Sequence, residues 1–243
     1  MRSFAEAYPD FPIVQVPLAQ ITWYHHISLI SKVKDERARA FYILETLKND
    51  WSRDIMMLQI KNKLYERSGK LINNFEKTLP DYQSELAQEV FKDPYNFDFL
   101  NLSTELNERE IESQLTKKIT DFLLELGKGF AFVGSQYPLD IDETDYFIDM
   151  LFYHTILHCY VVVELKAGDF KPEYISKLNF YINAVDDKIK QASDGATIGL
   201  LLCAGKSDIK VEYSMRGLNK PLGVAEYELE KIVRKSFKEL EKE

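Results

Sequence analysis

A few charged residues stand inside an apolar ribbon, FIDMLFYHTILHCYVVVELKAGDF, that runs from Phe147 to Phe170, Asp149, Glu164 and Lys166 among them. Bare charge in such a setting is costly unless it is paired or coordinated. Two carboxylates held close together repel, unless one keeps a proton or a cation lies between them. A ligand set made only of oxygens suits Mg²⁺ or Mn²⁺ rather than Zn²⁺. An ammonium beside a metal-bound water helps hold or activate that nucleophile and offsets phosphate charge. Two acids, one lysine and a divalent cation together describe phosphodiester hydrolysis. The plain alternative is a buried Asp–Lys or Glu–Lys pair that stabilises a sheet, and the tripeptide E-x-K alone does not separate the two.

The surrounding elements decide whether these groups can meet. DYFIDMLFYH (145–154) and CYVVVELKA (159–167) read as two strands, turning between Thr155 and His158. Alternation puts Glu164 and Lys166 on one side of the second strand and Leu165 on the other. Antiparallel pairing then brings Asp149 toward Glu164. Ahead of them, Ser103 caps a predicted helix with an apolar stripe at Ile111, Leu115, Ile119, Phe122 and Leu126, closed by Gly127. GKGFAFVG follows as a short strand. After the pair, 171–190 carries a helical pattern and 196–205 reads as a buried strand. IKVEYSM is expected to be a strand, and VAEYELEKIVRKSFKEL to close the chain as a short strand and a helix. The core order is therefore α-β-β-β-α-β, an α/β fold.

The 243 residues, 45% hydrophobic and 29% charged, suit one large or two small globular domains. The formal net charge of −8 argues against a general-purpose nucleic-acid glue but leaves room for a local basic surface. One such surface is helical: from Lys32 to Lys70, ten basic residues face six acidic ones. A solvated helix face accounts for them as well as a phosphate-contacting one does. Residues 1–70 are expected to be a helical module, with Asp50 a cap between two of its helices. Residues 71–101, punctuated by Pro80 and Pro94, are expected to be a linker, and 102–243 the second domain. Cys159 and Cys203 lie in apolar runs and read as buried small hydrophobes, consistent with a reducing compartment. No signal-peptide pattern opens the chain and no window approaches a membrane span, so a cytoplasmic location is expected.

The element order, with an aspartate on the second strand and E-x-K on the third, resembles the PD-(D/E)XK nuclease core. ELGKGFAFVGSQ, FIDMLFYH, CYVVVELKAGDFKPEY and KLNFYINAVDD resemble, more narrowly, the YhcG-like family of that superfamily. The resemblance implies that 102–243 is a nuclease-like domain with a restriction-endonuclease-like fold and a central mixed sheet, a Mg²⁺- or Mn²⁺-dependent nuclease acting on DNA. It implies metal ligands at Asp149, Glu164 and the Leu165 backbone carbonyl, a catalytic lysine at Lys166, and an assisting acid at Glu112 in EIESQL. Lys177 and Tyr181 take the positions where several branches carry glutamine and tyrosine, and here they would contact substrate phosphate. The proline–aspartate pair of the superfamily name is absent, since Asp149 follows Ile148. ITWYHH and WSRDIMMLQI resemble part of the family's helical N-terminal module, of winged-helix character. MRSFAEAYPDF reads as the middle of that module, so the module is expected to be incomplete. A homodimer would supply two centres for two strands. A non-catalytic DNA- or partner-binding protein on the same scaffold is the alternative, and a carbohydrate-acting enzyme is disfavoured because Lys166 has no task there.

Other chemistry-bearing residues read more plainly. His25 and His26 lack partners at zinc spacing. His154 and His158 flank a turn. Gly127-Lys128-Gly129 is not a P-loop, although Lys128 is a candidate phosphate contact. Asp140, Asp142, Glu143 and Asp145 read as a solvated acidic loop.

Overall fold

The computed structural model describes Phe4, Glu6, residues 20–100 and residues 107–229. The chain divides into two compact units, Met1–Ser68 and Gly69–Glu243.

The first unit is helical: α1 (Trp23–Lys32), α2 (Glu36–Asn49), α3 (Arg53–Lys61) and α4 (Leu64–Arg67). Side-chain oxygens start two of them. Asp35 accepts the Ala38 N–H at 2.7 Å and Ser52 accepts the Ile55 N–H at 3.3 Å. Asp50, expected as a cap between helices, closes α2 in the left-handed conformation at φ 52°, and Ser52 caps α3. Leu29, Tyr42, Ile43, Met56 and Leu64 form the small core. His25 is buried here and bonded to Thr22 at 2.8 Å and to the Trp51 carbonyl at 3.2 Å, a structural role.

The second unit contains β1 (Ile72–Asn73), α5 (Phe75–Thr78), α6 (Asp81–Val90), β2 (Tyr95–Asn96), α7 (Glu108–Lys117), α8 (Ile119–Leu126), β3 (Phe130–Ile141) and β4 (Thr144–His154). Then come β5 (Cys159–Asp169), α9 (Pro172–Lys188), β6 (Ile198–Gly205), α10 (Asp208–Met215) and β7 (Leu222–Glu228). The strands line up as β1-β7-β6-β5-β4-β3, with β2 on β7. β3, β4 and β5 are antiparallel neighbours, while β5, β6 and β7 run parallel, so the sheet is mixed. The α7/α8-β3-β4-β5-α9-β6 order is the αβββαβ arrangement expected from the sequence.

Both faces of the sheet are covered. On one, Phe152, Val161, Val163 and Leu202 pack with Ile111, Leu115, Phe122 and Leu126 of α7 and α8. On the other, Val162, Leu201, Cys203 and Val224 pack with Ile175, Leu178, Ile182 and Val185 of α9. Double coverage explains the unbroken valine run of β5 and the apolarity of β6. Cys159 and Cys203 are free and buried, and burial pushes both thiols up to about 12. No described helix is long and apolar enough to cross a membrane.

Four expectations are corrected. Residues 71–100 are not a linker: Leu71, Phe75, Phe91, Tyr95 and Phe97 are buried in the first face of the core. Their aromatic anchors are spaced irregularly across short elements, so no single period shows. IKVEYSM is helical, as α10, because Val211 and Met215, four apart, turn inward while Ile209 and Tyr213 face out. The single stripe from Ile111 to Leu126 covers two helices that break at Lys118 (φ −108°, ψ 36°). The acidic segment is solvated as expected, all four acids being exposed, but it is shorter as a loop: Asp140 and Asp145 pair across β3 and β4, and only Asp142 and Glu143 turn, at positive φ of 53° and 58°. The Ser103 cap and the terminal helix beyond residue 229 lie outside the described residues.

Phe152 meets the rings of Phe122, Phe130 and Phe132 at 5.4–6.1 Å with no exposed surface. Phe152→Ala should lower stability by about 3–5 kcal/mol, read by urea unfolding followed by circular dichroism. A loss below about 1 kcal/mol would contradict this packing.

Candidate active site

The β4–β5 ladder runs from His154↔Cys159 to Met150↔Val163 and then stops. One step further along β4 stands Asp149, and along β5 stands Glu164. The interstrand bonding continues through a side chain: Asp149 Oδ2 accepts the Leu165 N–H at 2.9 Å. This bond satisfies β5 where β4 departs from it and aims the aspartate at the E-x-K segment.

Glu164 is 0% exposed. Its Oε2 accepts from Lys177 Nζ at 2.8 Å, with Lys166 Nζ at 3.8 Å. Its Oε1 is buried with no hydrogen-bond partner. Lys166, 6% exposed, donates from Nζ to Glu108 Oε2 at 3.0 Å and to the Leu165 carbonyl at 2.9 Å, and lies 5.3 Å from the Tyr174 ring. The Tyr227 hydroxyl donates to the Lys166 carbonyl at 3.1 Å, fixing the backbone from β7. Lys177 and Tyr181, one turn apart on α9, share a face, and the ammonium sits 5.2 Å from the ring centre. Glu112 lines the same cleft, a space of about 340 Å³ that also holds Asp149, Lys177 and Tyr181. Gln136 Nε2 donates to Glu112 Oε2 at 2.7 Å.

Burial dominates the electrostatics. It raises Asp149, against the Leu165 N–H and the charges of Lys177 and Lys166. Burial and the neighbouring Asp149 push Glu164 up to about 7, although both lysines pull the other way. Glu112 is raised by burial and then by Asp149, partly offset by Gln136. For Lys177, partial burial opposes the charge, but Glu164 outweighs it and the amine is raised.

The donor set fits a hard divalent cation. It is made of oxygens, and the orphaned Glu164 Oε1 is the kind of buried acceptor that a cation satisfies. Among the described residues no three His, Cys, Asp or Glu side chains gather as ligands. The usable set is therefore two carboxylates, with a carbonyl, water or phosphate completing it.

The structure thus brings Asp149, Glu164, Lys166, Lys177, Tyr181 and Glu112 together. It does not bring Lys128. That residue precedes β3 beside the His154 end of β4, five residues or about 17 Å along the strand from Asp149. Glu108 and Gln136 are members that sequence reasoning missed. Glu108 is four residues before Glu112, a helical repeat that places both acids on one face of α7. Gln136 reaches Glu112 from a β3 residue at φ 45°, which no spacing announces.

An αβββαβ core carrying an aspartate and an E-x-K lysine at the point where paired strands part is the arrangement of PD-(D/E)XK nucleases. The chain belongs to the YhcG PDDEXK nuclease domain family, whose model matches residues 88–243, and residues 1–67 match the DUF1016 N-terminal domain. It is 34% identical over 219 residues, 88% of its length, to the Escherichia coli (strain K12) protein described as "Putative nuclease YhcG". It spans 57% of that relative's length. Among solved structures it is similar to a repair endonuclease from Pyrococcus abyssi: 15% identity, 54% of this chain, 49% of that chain, TM-score 0.34. It is also similar to the EndoMS-dsDNA2 complex: 14% identity, 54% of this chain, 47% of that chain, TM-score 0.34.

The raised Glu164 has a consequence for stability. Its ordinary value is 4.5 and its folded value about 7, so between these pH values the folded chain holds a proton that the unfolded chain has lost. The stabilising contribution is full below about pH 4.5, declines as pH rises to about 7, and stays lost above it. Glu164→Gln, which carries no charge, should therefore be more stable than the parent by about 2–3 kcal/mol at pH 8. The gap should close below about pH 4.5. Urea unfolding at both pH values measures it, and an unchanged gap would mean that the buried charge is not what strains the site.

Proposed function

We propose that the second unit is a divalent-cation-dependent nuclease that hydrolyses phosphodiester bonds of DNA. The observation that carries the reading is the meeting of Asp149 and the fully buried Glu164, with Lys166 beside them, at the end of the β4–β5 ladder. Asp149, Glu164 and the Leu165 carbonyl would hold Mg²⁺ or Mn²⁺. When bound, the cation would polarise a phosphate oxygen and make a water acidic enough to attack.

The chain's own residues do the rest. Lys166, pinned between Glu108 and the Leu165 carbonyl, presents a fixed ammonium to hold the attacking water and to offset charge on the phosphate. Glu112, with its carboxyl raised toward neutrality, can take or return a proton at its Oε1 or Oε2 near the cleft floor. Lys177 and Tyr181 line the way in and contact a substrate phosphate. The basic helical segment would add phosphate contacts that set register without reading sequence, and these would weaken with salt. Two strands cut at once would require two centres, which a homodimer supplies.

With plasmid DNA and Mn²⁺, the parent chain should nick and linearise. Asp149→Asn and Lys166→Ala should each lose about a hundredfold or more in rate, the scale on which a transition-state contact acts. Equal cleavage by all three proteins would refute the assignment. Tight DNA binding that ignores metal, with no nicking under any cation, would instead mark the core as a binding scaffold. Mn²⁺ affinity should fall as pH drops through about 7, because Glu164 takes up a proton there and a protonated carboxyl is a poor ligand. Calorimetric titration at pH 6 and pH 8 reads this, and equal affinity at both would remove Glu164 from the ligand set.

A further inference from the structure

We propose that Lys177 and a divalent cation compete for Glu164, and that the displaced ammonium becomes the ligand of the incoming phosphate. The inference rests on the hydrolase reading above and adds an order of events to it. Lys177 Nζ lies 2.8 Å from Glu164 Oε2, a charge-assisted bond to a carboxylate that no water reaches.

The local charges explain why both partners cannot stay. A divalent cation held by Asp149 and Glu164 would lie within a few ångströms of the ammonium that Glu164 Oε2 already binds, and two like charges that close in a low-dielectric site repel. Only one of the two lysines can leave. Lys166 is held by Glu108, and its side chain is almost fully buried. Lys177 makes its ion pair with Glu164 from a side chain that is 43% exposed and lines the open cleft. Its long stem can rotate outward from α9 while Tyr181, one turn on, keeps its place in the core.

The cleft also explains where the ammonium goes. Its lining includes Glu108, Glu112, Asp145 and Asp149 against Arg109 and Lys177. A phosphate entering past four carboxylates meets strong repulsion unless a cation turns toward it. Lys177 is available for that only after Glu164 has released it. Cation and phosphate binding are thereby coupled through one side chain, each favouring the other.

The test follows the reactivity of the Lys177 amine, measured by limited labelling with an amine-reactive reagent and peptide mass spectrometry on the full chain. Mn²⁺ alone should raise labelling of Lys177 on the order of tenfold, the factor that loss of one charge-assisted hydrogen bond releases. Lys166 should not change. A short phosphorothioate oligonucleotide added with Mn²⁺ should protect Lys177 again. In Asp149→Asn, whose folding is checked by circular dichroism, Mn²⁺ should have no such effect. If calorimetry shows Mn²⁺ bound to the parent chain while Lys177 labelling stays flat, competition is refuted and the hydrolase reading stands. If labelling rises with Mn²⁺ but the oligonucleotide gives no protection, the transfer to phosphate is refuted. If the parent chain takes up no Mn²⁺ and cleaves no DNA, both readings fall.

Discussion

The second unit is organised around one unfavourable act, placing the Glu164 carboxylate where water cannot solvate it. A lone buried carboxylate would stay protonated or unfold its surroundings. Here it is kept by two ammoniums, Lys166 from β5 itself and Lys177 from α9, against the repulsion of Asp149 on β4. Each neighbour is in turn restrained, Lys166 by Glu108, Lys177 by the Tyr181 ring and Asp149 by the Leu165 N–H. The balance is incomplete, since burial and Asp149 still push Glu164 up to about 7 against both ammoniums.

Sheet topology makes the arrangement possible. β5 is antiparallel to β4 on one side and parallel to β6 on the other. Its position at that change of direction buries it on both faces as far as Lys166; pairing with β4 stops at Val163, and the cleft beside that point is lined from β4 by Asp149 while Glu164 and Lys166 stay buried behind it. α9 then returns across the sheet close to Glu164, so that a helix side chain can reach what the strand carries.

The candidate site residues were more legible in the sequence than their setting. Asp149, Glu164 and Lys166 stand out because charge inside apolar strands has few explanations, and period-two alternation puts Glu164 and Lys166 on one side of β5. The hairpin at Thr155–His158 followed from two apolar runs with a short gap, and the structure has β4 ending at His154 and β5 starting at Cys159. Residues 71–100 were misread because burial there comes from isolated aromatics on two- to ten-residue elements, too short to show a period. α10 was misread because Val211, Tyr213 and Met215 alternate as a strand would, while the four-residue step from Val211 to Met215 is the one the fold uses. Glu108 and Gln136 were missed because their roles depend on where α7 and β3 cross the site, a tertiary fact. Lys177 was read as a phosphate contact, and its bond to Glu164 is visible only once α9 is laid on the sheet.

β3 forms one outer rim of the sheet, and rims are where chains stick to one another. This one is poorly suited to that. Its register slips between Phe132 and Gly134, Gln136 bends the backbone to positive φ, and Pro138 lacks the amide hydrogen that a neighbouring strand would need. The opposite rim, β1, is only two residues long. The same irregularity that lets Gln136 reach Glu112 thus also discourages strand addition at the border beside the cleft.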